Sequence, residues 1–62
     1  MPEVYSCTYE LRRGHVISAT GRLTLDEPPN IGRFLNLGQE RLRIVQVLPA
    51  ANGELHLVLE TL

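Results

Sequence analysis

From Tyr5 to Leu25 apolar and polar residues alternate with a period of two, interrupted only around Arg12-Arg13-Gly14. Tyr5, Cys7, Tyr9 and Leu11 share one parity, and Ser6, Thr8 and Glu10 share the other. After the break, Ile17, Ala19, Gly21, Leu23 and Leu25 alternate with Ser18, Thr20, Arg22 and Thr24. Side chains along a strand point to opposite faces in turn, so this pattern describes two half-buried strands and excludes a helix. Gly14 suits the left-handed last position of a three-residue hairpin loop. That loop sets a register with Tyr9 opposite Ile17, Cys7 opposite Ala19 and Tyr5 opposite Gly21. A slip of one residue would turn the apolar set to solvent. Gly21, lacking a side chain, marks a place where the strand can bend.

The remainder of the chain continues in strands. Asp26-Glu27-Pro28-Pro29-Asn30-Ile31-Gly32 is a break, because two prolines remove two backbone donors and fix their dihedrals. At most a single helical turn fits near residues 29–33. Strands are expected over 33–37, 42–48 and 54–62, joined by a four-residue turn at Gly38-Gln39-Glu40-Arg41 and by a loop containing Asn52-Gly53, a strong turn signal. Leu55, Leu57 and Leu59 mark one face of the last strand, and Glu54, His56 and Glu60 the other. The expected fold is all-β, one domain over residues 1–62: a small five-stranded antiparallel barrel or curled meander of SH3-like or OB-like architecture.

The middle strands carry apolar groups on both faces. Pairing Leu37 with Leu42 and Leu35 with Ile44 gives one apolar face and puts Phe34 opposite Val45, with Val47 beyond it, on the other. Two structures satisfy this pattern. A bulge near Ile44-Val45 turns Val45 and Val47 back into the core, or the outer face of the hairpin is buried against another chain. In the second case Phe34, Asn36, Arg41, Arg43, Val45 and Val47 form a protein interface, with the polar members as its rim. A chain of 62 residues gains much of its stability by burying surface against a partner. A second copy is the simplest partner.

Chemistry-bearing residues are sparse. Six basic residues, all arginine, stand against seven acidic ones for a net charge of -1, so the overall charge gives no pull toward nucleic acid or an anionic membrane. Cys7, His15 and His56 are the soft metal ligands, but they are far apart in sequence and lack the paired short spacings of a structural zinc site. No metal and no cofactor is expected. The single cysteine excludes an internal disulfide framework and points to a reducing cytoplasm. Met1-Pro2-Glu3 begins no signal-peptide pattern, and no apolar run approaches a membrane span. Ser6 and Ser18 are expected in a hydroxyl ladder, Ser6 opposite Thr20 and Thr8 opposite Ser18, with no histidine on their face within the hairpin. The glycines are scattered at turns and cradle no phosphate.

The sequence is therefore read as a non-catalytic protein-interaction module or accessory subunit, with a protein partner or a homodimer. The alternative is a small barrel that binds nucleic acid weakly, using Arg12 and Arg13 at the hairpin tip, with Arg41 and Arg43, on phosphates. Against it stands the scarcity of aromatics: Tyr5, Tyr9 and Phe34 alone, with both tyrosines on the apolar face.

Overall fold

A computed structural model of the chain describes residues 4–62; the leader question raised by Met1-Pro2-Glu3 lies outside the described residues. The two alternating segments form strands β1 (Tyr5–Arg13) and β2 (Val16–Leu25). Their connection is shorter than the expected loop. Arg13 pairs with Val16, leaving Gly14 and His15 as a two-residue turn. Gly14 has φ of 65° and His15 has no positive φ, the sign pattern of a type II′ turn with glycine at its first central position.

The register then slips once. Arg12 faces Ile17 and Leu11 faces Ala19, so Ser18 is the extra residue of a β-bulge. Beyond it Tyr9 faces Gly21, Cys7 faces Leu23 and Tyr5 faces Leu25. The expected apolar parity survives from Ala19 onward, but every expected partner is displaced. Thr8 meets Arg22 and Ser6 meets Thr24 in place of the expected Ser18 and Thr20. The bulge also moves Ile17 off the apolar face to the side of Arg12, where it is 55% exposed.

Strand β3 (Phe34–Leu37) and strand β4 (Glu40–Pro49) form the second hairpin. Its turn is again two residues, Gly38 and Gln39, with Gly38 at φ 64°. The four-residue turn expected here is thereby corrected, and with it the pairing: Leu35 faces Leu42, Asn36 faces Arg41 and Phe34 faces Arg43 rather than Val45. The proline loop is stitched to β4. The Gly32 N–H donates to the Ile44 carbonyl at 2.7 Å, and the Ile44 N–H donates to the Arg33 carbonyl at 2.9 Å. Pro29 is buried within this loop. Asn52 and Gly53 both have positive φ and turn the chain from β4 into strand β5 (Leu55–Thr61).

Strand β5 sets the topology. It lies between β4, to which it is antiparallel, and β1, to which it is parallel, in the order β2-β1-β5-β4-β3. The purely antiparallel sheet expected from hairpin order is thus a mixed one, curled into a half-barrel with β2 and β3 as its edges. The sequence of β5 accounts for its central place. Leu57, Val58 and Leu59 are consecutive and all buried, and a run buried on both faces belongs inside a sheet rather than at its rim.

The core occupies the concave face. Cys7, Leu11, Leu42, Ile44, Leu57 and Leu59 form its buried cluster. Around them Tyr5, Tyr9, Leu23, Leu25, Leu35, Leu37, Val47 and Leu55 pack against the cluster yet stay partly exposed. Val47 reaches this face through a second bulge. Ile44 faces Leu59 and Gln46 faces Val58, so Val45 is the extra residue and Val47 comes to face Leu57. Of the two arrangements compatible with the sequence, the bulge is the one adopted. Val47 is a core contact and not part of an outward-facing trio.

Candidate interaction surfaces

The outer face of the sheet carries most of the polar side chains and can be followed row by row from the register. One row crosses all five strands: Ile17, Arg12, Glu60, Arg43 and Phe34. At its end Phe34 is 47% exposed. The Arg41 guanidinium carbon sits 4.9 Å from the centre of its ring, within range of a cation–π attraction. Phe34, Asn36, Arg41 and Arg43 therefore remain together on the outer side of the β3–β4 hairpin, as the sequence suggested. Val45 is half-buried at the bulge, and Val47 lies on the other face. The apolar content of the candidate interface is reduced to Phe34 and what Val45 still shows.

Four of the arginines are held by carboxylates. Arg12 Nε lies 2.7 Å from Glu10, Arg13 2.8 Å from Glu40, and Arg33 2.9 Å from Glu27. Arg22 is bound by both oxygens of Glu54. The two tip arginines assigned to phosphate contacts, Arg12 and Arg13, thus each lean on an acid of their own chain, which weakens the local positive field. Among the described residues no carboxylate lies within ion-pair distance of Arg41 or Arg43.

A polar relay joins β1 to β5 on the outer face. The parallel register sets Thr8 beside His56. Thr8 Oγ1 and His56 Nδ1 are 2.8 Å apart, and His56 Nε2 is 2.8 Å from Glu10 Oε1. A carboxylate only accepts, so the Nε2–H donates to Glu10, and in the neutral imidazole Nδ1 accepts the Thr8 hydroxyl proton. Hydrogen bonds from His56 and then from Arg12 hold the Glu10 carboxyl below its ordinary pKa. The sequence placed Thr8, Glu10 and His56 on polar faces, but their meeting depends on the parallel β1–β5 pairing. Hairpin reasoning alone does not supply that pairing.

Hydroxyl, imidazole and carboxylate in line can move a proton. These three, however, lie on an open sheet face. A cavity of about 410 Å³ is lined by Val4, Tyr5, Ser6, Asn52, Gly53, Glu54 and Leu55 and includes none of them. The soft ligands are also kept apart. Cys7 is in the core, His56 is on the outer face and His15 is in the β1–β2 turn. Burial, with the charge of Glu54, pushes the Cys7 thiol pKa up. No helix among the described residues is long and apolar enough to cross a membrane.

Comparison with protein-family models, with curated proteins and with solved structures finds no match for the chain.

Proposed function

We propose that the chain is a non-catalytic protein-interaction module whose sheet is completed by another polypeptide. The observation that carries this reading is the rim of the core face, where eight apolar side chains pack against the buried cluster and remain partly exposed. Covering apolar surface of this kind contributes about 25 cal/mol for each Å² removed from water, a useful increment for so small a domain. Two further features agree. The hydroxyl–imidazole–carboxylate relay is not part of the cavity lined by Val4, Tyr5 and Glu54, and four arginines are occupied by acids. An unpaired buried thiol at Cys7 suits a reducing cytoplasm.

Nucleic-acid binding is the second reading. One observation favours it: an exposed aromatic ring, Phe34, flanked by Arg41 and Arg43, neither of which is in an ion pair among the described residues although Glu60 faces Arg43 across the sheet. Stacking on such a ring with a cationic border is how single strands are held without sequence preference.

Affinity capture with the purified chain from its native lysate, run with and without nuclease, separates the two. A stoichiometric protein complex that survives nuclease is the expected result. Recovery that disappears with nuclease, together with salt-sensitive oligonucleotide binding abolished by Phe34→Ala, overturns the proposal in favour of the second reading.

A further inference from the structure

The two edges of the sheet differ in the charge they leave unmatched. On the outer face β2 presents Thr20, Arg22 and Thr24, and its one cation is held by both oxygens of Glu54. At the other edge Phe34 and Asn36 of β3 stand opposite Arg43 and Arg41 of β4. Both arginines are exposed, and neither is in an ion pair among the described residues. The acids that flank this hairpin in the chain are already used: Glu27 holds Arg33, and Glu40 holds Arg13. Glu60 faces Arg43 from β5 without pairing to it and offsets part of its field. Arg41 has Asn36 as its partner on β3 and no acid opposite it.

The backbone of β3 is open beside these groups. The Ile44 N–H donates to the Arg33 carbonyl, so Arg33 and Ile44 form a hydrogen-bonded pair. In an antiparallel ladder such pairs alternate with pairs whose N–H and C=O point away from each other. Phe34 and Asn36 therefore turn theirs to the outer edge, where no strand of the chain lies. β3 is only four residues long. That suits a short added segment and limits unselective edge-to-edge pairing.

We propose that β3 is a docking edge for an extended acidic segment of another protein, which adds a strand beside Phe34 and Asn36. The proposal rests on the reading of the chain as an interaction module and names its partner. Residues two apart on the added strand share a face, so alternating carboxylates come to the side of the sheet that carries Arg41 and Arg43. Guanidinium and carboxylate pair there in fork geometry. Main-chain bonds supply affinity, and the arginines select the sequence. A nucleic-acid strand fits this edge less well. It cannot continue a ladder of backbone N–H and C=O groups, and two unpaired cations neutralise few phosphates. The Arg41 guanidinium also lies over the Phe34 ring, where a stacked base would have to displace it.

Titration of the full chain with a short capped peptide alternating glutamate with valine, followed by amide chemical shifts, tests this. Shifts are expected along β3 and at Arg41 and Arg43, with none along β2. Replacing the glutamates by glutamine should weaken binding about tenfold or more, as should Arg41→Gln, whereas Arg22→Gln on the other edge should not. Methylating alternate peptide nitrogens should abolish binding in one phase of the alternation and spare it in the other, because only one set of N–H groups faces β3. The peptide variants leave the protein untouched, so this readout stands even if an arginine variant folds poorly. Equal binding of the glutamine peptide, or shifts confined to β2, overturns the proposal, as does no binding at about millimolar peptide. Tighter binding of oligothymidylate at the same residues overturns it in favour of a nucleic acid. A self-association that Arg41→Gln abolishes overturns it in favour of a second copy. The broader reading fails separately, if capture from the native lysate yields no nuclease-resistant protein complex.

Discussion

The ring of Tyr9 lies directly over the bare Cα of Gly21. A Cβ built at residue 21 would stand 2.8 Å from the Tyr9 hydroxyl oxygen and 3.0 Å from ring carbons Cε1 and Cζ. The bulge at Ser18 creates this contact, because without the slip Gly21 would not face Tyr9. The ring fills the space that a side chain would otherwise occupy, and it covers backbone near an open edge.

Gly21→Val should therefore destabilise the protein by about 1–3 kcal/mol, the usual range for overpacking. Backbone strain has no part in this, since Gly21 is absent from the positive-φ positions. The ring must move instead. Urea denaturation of Gly21→Val, of Tyr9→Leu and of the double variant forms a cycle. The coupling should be at least about 0.5 kcal/mol, with the valine better tolerated once the ring is gone. Additive effects would show that the ring and the glycine do not meet.

Acid should weaken the link between β1 and β5. Hydrogen bonds from His56 and Arg12 lower the Glu10 pKa in the folded chain. A depressed carboxyl contributes stability that is fully present above its unfolded pKa, roughly 4.3 for glutamate. That contribution is lost as pH falls through the folded value. The melting temperature of the wild type should fall on acidification through this range. Glu10→Gln should be less stable near neutrality and show a shallower decline in acid. An identical acid limb in the two proteins would remove Glu10 from the account.

Cys7 should be silent toward thiol reagents in the folded protein. It is buried in the core cluster, and both burial and the Glu54 charge raise its pKa, so thiolate is scarce. Labelling should follow unfolding, slow in buffer and fast in denaturant. Cys7→Ser should cost about 1–3 kcal/mol, because it sets a hydroxyl in the buried cluster between its register partners Leu23 and Leu55. Prompt labelling of the native chain would contradict this placement.

The alternation of residues 5–25 made two strands and their shared face legible, and the Asn52-Gly53 turn was equally plain. What stayed hidden has physical reasons. Ser18 and Val45 are unremarkable residues, and a bulge is fixed by what lies across from it rather than by its own side chain. At Gly14 a two-residue and a three-residue turn both call for glycine, so the turn residue alone left the register open. The relay of Thr8, His56 and Glu10 needed a parallel pairing between the first and last strands. Its one sequence sign was the unbroken apolar run of Leu57, Val58 and Leu59, which suits a central strand. Phe34, Asn36, Arg41 and Arg43 share one face with either turn, because going from four turn residues to two moves the register by an even number and keeps each side chain on its side.

The second bulge makes the sharpest demand on the fold. If Val45 is the extra residue, Val47 faces Leu57 and packs on the core, whereas Phe34 stands on the outer side beneath Arg41. Regular pairing would put both residues on the same outer face, and similar substitutions would then have similar effects. With the bulge they must differ. Val47→Asp brings a carboxylate to a side chain that touches a fully buried leucine and should cost about 2 kcal/mol or more. Phe34→Asp exchanges an exposed ring for an exposed acid next to Arg41 and Arg43. Its loss is limited to a cation–π contact of about 0.5–1 kcal/mol, partly offset by new attraction to the two arginines. Urea midpoints measured at low protein concentration, where association does not contribute, decide between the arrangements. A Val47→Asp variant as stable as Phe34→Asp would mean that the strand runs without its bulge and that Val47 faces outward.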